Sequence, residues 1–462
     1  MLGLIAVLKF RHFSEERQKL KGKRLNTFFP IPHSPFSIPL LWATVIAISG
    51  NLGGCVSISL KEGPKTPSSP LPTPTETVPL STPTETVTES PIVSVPKLPP
   101  STANRDILEQ SWVIYRQQFI QEDGRVIDYQ ASDRSTSEGQ AYAMLRAVLI
   151  DDPTTFALTL KWAENNLHRL DPQGKPIDQL WVWLWGKEKE KWGAIDRNFA
   201  SDADIDAITA LILAYRRWHR PEYLNLAQLK LRDLWEYSTI EVAGGKRYLL
   251  PGPKEAFVPT PSTIYFNPSY LAPYAFRLFA QVDPQRNWLS LVESSYQILE
   301  QSSKVSKAGL PSDWIALDTQ TGKFQPLPPD SKLKSLYSFD AYRVWWRVAW
   351  DAELFQSPEG LSYLKVATQH LQKLLRQPGN IPAQIDLQGK SIVNYEATSQ
   401  YAMLYPALRL IDPKMAEELL QKKLLPRYNE GIWDDQSSYY TQNLAWLGLL
   451  PTQAIDPKLL QK

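Results

Sequence analysis

Two stretches of this chain place acids where chemistry would need them. In Ser137-Glu138-Gly139-Gln140-Ala141-Tyr142-Ala143-Met144-Leu145, Ser137 suits an N-cap and Gln140 follows at capping-box spacing. Ala141, Met144, Leu145 and Val148 then recur at helical spacing, which gives a buried face. Glu138 falls in the first turn, facing whatever lies beyond the helix end. Ala200-Ser201-Asp202-Ala203-Asp204 repeats this logic, with Ser201 capping, Asp204 reciprocating and Asp202 in the first turn. One such acid merely complements a helix dipole. Two acids held close in a cleft raise the pKa of at least one of them. A raised carboxyl pKa is what a general acid at neutral pH requires.

Acids of this kind must be positioned by helices. Apolar periods and caps predict about twelve helices, beginning near residues 104, 137, 153, 202, 221, 269, 284, 338, 357, 395, 413 and 438. Every second one opens with polar or aromatic side chains that suit a core poorly. These openings are Ser137-Glu138, Ser201-Asp202-Ala203-Asp204, Asn267-Pro268-Ser269-Tyr270, Ser338-Phe339-Asp340, Asn394-Tyr395-Glu396 and Ser438-Tyr439-Tyr440. The helices between open more blandly, as at Asp152-Pro153-Thr154-Thr155 and Arg220-Pro221-Glu222. The alternation predicts an all-α chain folded as an (α/α)6 barrel, two concentric rings with the inner N-termini at one mouth. Strand-like text is minor, at Leu180–Trp185 and around Tyr248–Leu250.

The chain has 462 residues, 43% of them hydrophobic, with 16 Trp, enough for a sizeable core. Net charge is +2, from 50 basic and 48 acidic residues, so there is no basic surplus for a nucleic-acid partner. Five scattered His and one Cys give no metal-ligand spacing, and neither a metal nor another cofactor is expected. A monomer is the default. Residues 1–55 read as an export signal: basic residues from Lys9 to Arg24, an apolar run from Ile38 to Ile48, then Leu52-Gly53-Gly54-Cys55. That ending resembles the lipobox of bacterial lipoproteins, which implies cleavage before Cys55 and a lipid on its sulfur. The mature chain would then be a membrane-anchored lipoprotein facing the periplasm or cell exterior. Residues 56–103 are rich in Pro, Thr and Ser, with Thr73-Pro-Thr-Glu-Thr-Val78 repeated at Thr82–Val87. This composition predicts a disordered linker, leaving 104–462 as the catalytic domain.

Six blocks, in this order, resemble glycoside hydrolase family 8. They are Ser137–Leu145, Ala200–Asp204 with Trp218, Leu249-Leu250-Pro251-Gly252, Asn267-Pro268-Ser269-Tyr270-Leu271, Pro311-Ser312-Asp313-Trp314, and Tyr337-Ser338-Phe339-Asp340-Ala341-Tyr342-Arg343-Val344. The resemblance implies an (α/α)6 barrel and inverting hydrolysis of β-1,4-linked glycans, mostly cellulose-type glucans. It implies Glu138 as general acid, Asp340 as general base with Arg343 bound to it or to the sugar, and Asp202 as the acid that helps bind and distort the sugar. Two departures stand out: Ala207-Ile208 reverses the usual order, and Ala143 stands where Gly is frequent.

Aromatic faces stack on sugar rings, so Tyr142, Tyr270, Trp314, Tyr439 and Tyr440, in or near the cleft-facing blocks, are expected to bind the β-linked polysaccharide, with Asp204 beside them. Trp181, Trp183 and Trp185 alternate along an extended segment and project to one side, either onto the glycan or onto the barrel core. The expected substrate is a β-1,4-glucan. Chitosan, mixed-linkage β-glucan and xylan are alternatives within the class, and a non-catalytic glucan-binding accessory of polysaccharide export is the rival outside it.

Overall fold

The computed structural model describes residues 98–99 and 102–461. The expected export signal with Cys55, and nearly all of the expected linker, lie outside the described residues.

Twelve principal helices alternate between two roles that burial distinguishes. In α2 (Ser137–Leu149) every residue except Glu138 is buried, and in α4 (Ser201–Trp218) the first fourteen residues are. Helices apolar all round belong inside a fold. With α6 (Pro273–Val282), α8 (Arg343–Leu354), α10 (Thr398–Ile411) and α12 (Tyr439–Leu449) they form the inner ring. Each packs on the next, and α12 returns to α2 to close the circle. Outside lie α1 (Arg105–Phe119), α3 (Pro153–Asn166), α5 (Pro221–Ser238), α7 (Trp288–Val305), α9 (Pro358–Ala367) and α11 (Pro413–Leu419), each packed against the inner ring. Four of these outer helices open on proline, whose fixed φ and missing N–H suit the first helical position. Their caps include Asp152, Ser357 and Asp412, each accepting a backbone N–H. The chain is an (α/α)6 barrel.

Four helix starts lie three to five residues later than the sequence reading placed them, at 273, 288, 343 and 398. Pro268–Tyr270 forms a separate 3-10 turn before α6, and Ser338–Tyr342 forms a turn before α8. Both proposed capping boxes are also corrected. Thr136 caps α2, its hydroxyl accepting from Gly139 N, because the two-residue strand β1 (Ser135–Thr136) runs straight into the helix. Gln140 instead accepts from Val126 N and donates to Gly124 and Thr159 carbonyls. Ala200 precedes α4 without a side-chain cap, and Ser201 Oγ donates to Leu250 O at 2.8 Å. Ala143, Ala207 and Ile208 are wholly buried within helices, where the departures from the family pattern amount to packing.

The strand-like segment is larger than its text suggested. Strands β3 (Pro176–Glu188) and β4 (Lys191–Phe199) form a long hairpin, with β2 (His168–Leu170) and β1 on the other side of β3. Ser135 pairs with Trp185 and Thr136 with Leu184, so the hairpin is hydrogen-bonded to the residues that lead into Glu138.

One helical turn below the mouth, Arg347 of α8 makes a bidentate pair with Asp206 of α4, both bonds 2.8 Å, and neither residue reaches solvent. Breaking a buried pair strands a charge, which costs about 3–5 kcal/mol. Asp206→Ala is therefore expected to lose stability by that amount in chemical denaturation, with Arg347→Met less affected than the loss of the acid alone.

Candidate active site

The N-termini of α2 and α4 and the turn before α8 converge on Arg343. Its Nη1 donates to Glu138 Oε2 at 2.5 Å and to Asp202 Oδ2 at 2.8 Å, and its Nη2 donates to Asp340 Oδ1 and Ser269 Oγ, both at 3.0 Å. The side chains of Glu138 and Asp340 keep 19% and 12% of their surface exposed, against 3% for Asp202 and 1% for Arg343. Two carboxyls thus face the opening, while the third acid and the cation lie beneath them. Because one guanidinium bridges Glu138 and Asp340, their nearest oxygens are at most roughly 8 Å apart, inside the ~9.5 Å upper limit for an inverting pair.

Each of the two exposed acids has its own holders. Glu138 Oε1 accepts from the Tyr439 hydroxyl at 3.2 Å, and that hydroxyl also meets Thr136 Oγ1 at 3.2 Å. Gly139 makes room for this: a Cβ there would stand 3.3 Å from both the Tyr439 ring and Thr136 Oγ1. Asp340 Oδ2 accepts from Asn267 Nδ2 at 3.1 Å, and the Trp314 indole N–H further favours its ionised form. The turn carrying Asp340 is itself organised by Asp313, whose Oδ1 accepts from Ser338 N (3.1 Å) and Ala341 N (2.8 Å) and whose Oδ2 accepts from the Ser338 hydroxyl. From α12, Tyr440 donates to Phe339 O at 2.7 Å.

One guanidinium is hydrogen-bonded to all three acids, so they cannot all be ionised cheaply. Burial pushes Glu138 up to about 7, Arg343 opposes this, and the negative charges of Asp202 and Asp340 add to it. Burial also raises Asp202 and Asp340, in each case against Arg343. Burial holds Tyr142, Tyr270, Tyr439 and Tyr440 well above the usual phenol value, so they act as hydrogen-bonding hydroxyls. The arrangement can hold one carboxyl protonated beside another that is ionised, which is general acid–base chemistry. Among the described residues, no group of three His, Cys, Asp or Glu side chains is placed to hold a metal ion.

The structure brings Glu138, Asp202, Asp340, Arg343, Tyr439 and Tyr440 together at this mouth, with Tyr142 wholly buried beneath it. Tyr142 OH lies 3.5 Å from Arg343 Nη1. Tyr270 lies under the Arg343 guanidinium at 5.4 Å, with Trp314 against it at 6.2 Å. Asp204 goes elsewhere. It is wholly buried, accepts from Trp181 N at 3.2 Å, and burial pushes it up to about 8. Trp181 is also fully buried, bonded to Glu164 and lying beneath Lys230. Trp183 is buried too, while Trp185 packs edge-on against Trp162 and stacks on Trp192.

Asp313, Asn267 and Ser269 acquire roles that their positions in the sequence blocks do not signal. Asp313→Ala would free the turn that presents Asp340. Steady-state kinetics should show kcat falling by at least about tenfold with KM little changed, because a misplaced base affects the transition state more than binding.

The sequence profile of the family described as "Glycosyl hydrolases family 8" matches residues 96–453. An endoglucanase from Salmonella typhi is 28% identical over 344 residues, 72% of this chain and 88% of that protein. An endoglucanase from Xanthomonas axonopodis pv. citri is 34% identical over 236 residues, 51% of this chain but only 58% of that protein. Among solved structures, an endo-1,4-D-glucanase from Vibrio fischeri superimposes with a TM-score of 0.62 at 28% identity, covering 73% of this chain and 93% of the other.

Proposed function

Since the chain belongs to glycosyl hydrolase family 8, we propose that it is an inverting endo-glycosidase acting on β-1,4-linked, cellulose-type glucan. Glu138 is the general acid, Asp340 the general base, and Asp202 the buried acid that fixes Arg343 beneath the sugar at the point of cleavage. The observation that carries this reading is one guanidinium shared by two partly exposed carboxyls, one of them pushed up to about 7. Protonated Glu138 gives its proton to the glycosidic oxygen as the bond to the anomeric carbon breaks. Asp340, whose ionised form Arg343, Asn267 and Trp314 favour against burial, takes a proton from water attacking that carbon from the opposite face. Configuration at the anomeric carbon inverts. The endoglucanase names of the relatives support the substrate class.

The test is reducing-sugar release from carboxymethylcellulose, chitosan, lichenan and xylan, with the anomer of the first product followed by NMR. Release from carboxymethylcellulose with the α-anomer formed first supports the reading. Release only from another glycan would change the substrate, and a β-anomer would overturn inversion.

The order of basic flank, apolar run and Leu52-Gly53-Gly54-Cys55 supports a further part of the proposal, that a lipid on Cys55 anchors the enzyme to a membrane outside the cytoplasm. Cys55→Ser should move the protein from the membrane to the soluble fraction of the producing cell. Unchanged membrane association would remove the lipid anchor from the proposal.

A further inference from the structure

Trp192 sits near the tip of the β3–β4 hairpin with 51% of its surface exposed. Exposed tryptophans are ordinary, but this one is immobilised. Its ring stacks on Trp185 with centroids 5.2 Å apart and planes 19° off parallel. The Arg125 guanidinium lies 4.6 Å from the Trp192 ring and 4.8 Å from the Trp185 ring. Arg125 is itself buried, its Nε donating to Ser135 Oγ at 2.8 Å and its Nη2 donating to the Asp133 carbonyl. Trp185 is braced from behind by Trp162, edge-on at 5.1 Å. The result is a fixed, half-open aromatic face, with its ordering cost already met before any ligand arrives.

This platform is continuous with the active-site mouth. Trp185 pairs with Ser135 in β1, and Arg125 holds the Ser135 side chain. Ser135 stands three residues before Glu138, so their Cα atoms are at most about 10 Å apart. A glucan long enough to be cut internally must extend beyond the acid and base in both directions.

We propose that Trp192, braced by Trp185 and Arg125, is an outlying glucan-binding platform that stacks on sugar units of the substrate chain beyond the cleavage point. The proposal rests on the family 8 glucan reading and adds a preference for long chains. A pyranose ring offers an apolar C–H face that matches a flat indole, and an uncharged glucan needs no ionic partner. The hairpin tip suits that ligand: Lys187, Glu188, Lys189, Glu190 and Lys191 alternate in sign, with Lys187 paired to Glu190, so it offers no block of one charge to a polyanion.

The experiment compares Trp192→Ala and Trp192→Tyr with the parent on carboxymethylcellulose and on cellotetraose, and measures retardation of Glu138→Gln and Glu138→Gln/Trp192→Ala by hydroxyethylcellulose in native gels. The ratio of kcat/KM on polymer to that on cellotetraose should fall roughly tenfold for Trp192→Ala, the size of one aromatic contact, and recover in part with tyrosine. Retardation should fall in parallel. An unchanged ratio, or equal losses on both substrates, overturns the platform. If the parent cleaves no glucan yet Trp192→Ala abolishes its retardation, the platform stands and the enzymatic reading falls. A parent that is neither active nor retarded sinks both.

Discussion

The Glu138→Gln protein is expected to lose about 10²–10⁴-fold in kcat, the usual contribution of a positioned proton donor, while still binding glucan. Glutamine keeps one carbonyl oxygen for the Arg343 bond, and its amide NH2 can donate to the Tyr439 hydroxyl, which turns its own proton to Thr136 Oγ1, so the site keeps its shape and loses only its acidic proton. The pH profile separates this from structural damage. Glu138 must be protonated to act, and burial sets its pKa at about 7. Wild-type kcat/KM should therefore be lost as pH rises through about 7. On the acid side it should be lost as Asp340, itself raised by burial, takes up a proton. The glutamine variant should keep the acid limb and lose the alkaline one. Stability moves the other way. A carboxyl raised in the folded state favours folding at pH values below its unfolded pKa, and that advantage disappears as pH rises through the folded value. Melting temperatures should thus show Glu138→Gln gaining on the wild type between about pH 4.5 and 7 and holding the gain above. Equal activity of the two proteins would sink the assignment of Glu138.

The ring architecture was legible because local signals repeat. Polar openings alternate with bland ones, and the inner helices prove to be those with polar starts and buried bodies. Asp204 shows where such reading failed. It was grouped with Asp202, yet two residues along a helix turn the side chain by about 200°, so one points to the mouth and the other towards Trp181. The same arithmetic would have found Arg347 and Asp206, each four residues beyond Arg343 and Asp202 and hence on the same helix faces. Asp313 was different. It acts on a turn 25 residues downstream, and no local pattern signals a carboxylate that collects the N–H groups of a distant loop. The true cap, Thr136, was likewise hidden, because its position depends on β1 pairing with a hairpin some fifty residues ahead.

Arg343→Met should be nearly as damaging to activity as the loss of the acid, for the opposite electrostatic reason. It removes the only cation hydrogen-bonded to Glu138, Asp202 and Asp340 among the described residues, and in all three Arg343 is the leading influence lowering the pKa against burial. Without it each acid moves further up. Asp340 is then harder to ionise and takes a proton from water less readily, so kcat should fall by about 10²-fold or more. The shift has a direction: both limbs of the pH profile should move to higher pH, and some activity should return in alkaline buffer. Folding should survive, because buried carboxyls without a cation escape their desolvation cost by taking protons. Stability of the variant should accordingly decline as pH rises from about 4, where unfolded carboxyls ionise, through the raised folded values. Arg343→Lys supplies the control, since one ammonium restores charge but cannot offer two parallel N–H forks to separate acids. It should bring the pH limbs part of the way back while recovering little of kcat. A profile for Arg343→Met with unmoved limbs would mean that the guanidinium only braces the mouth and does not set the protonation of its acids.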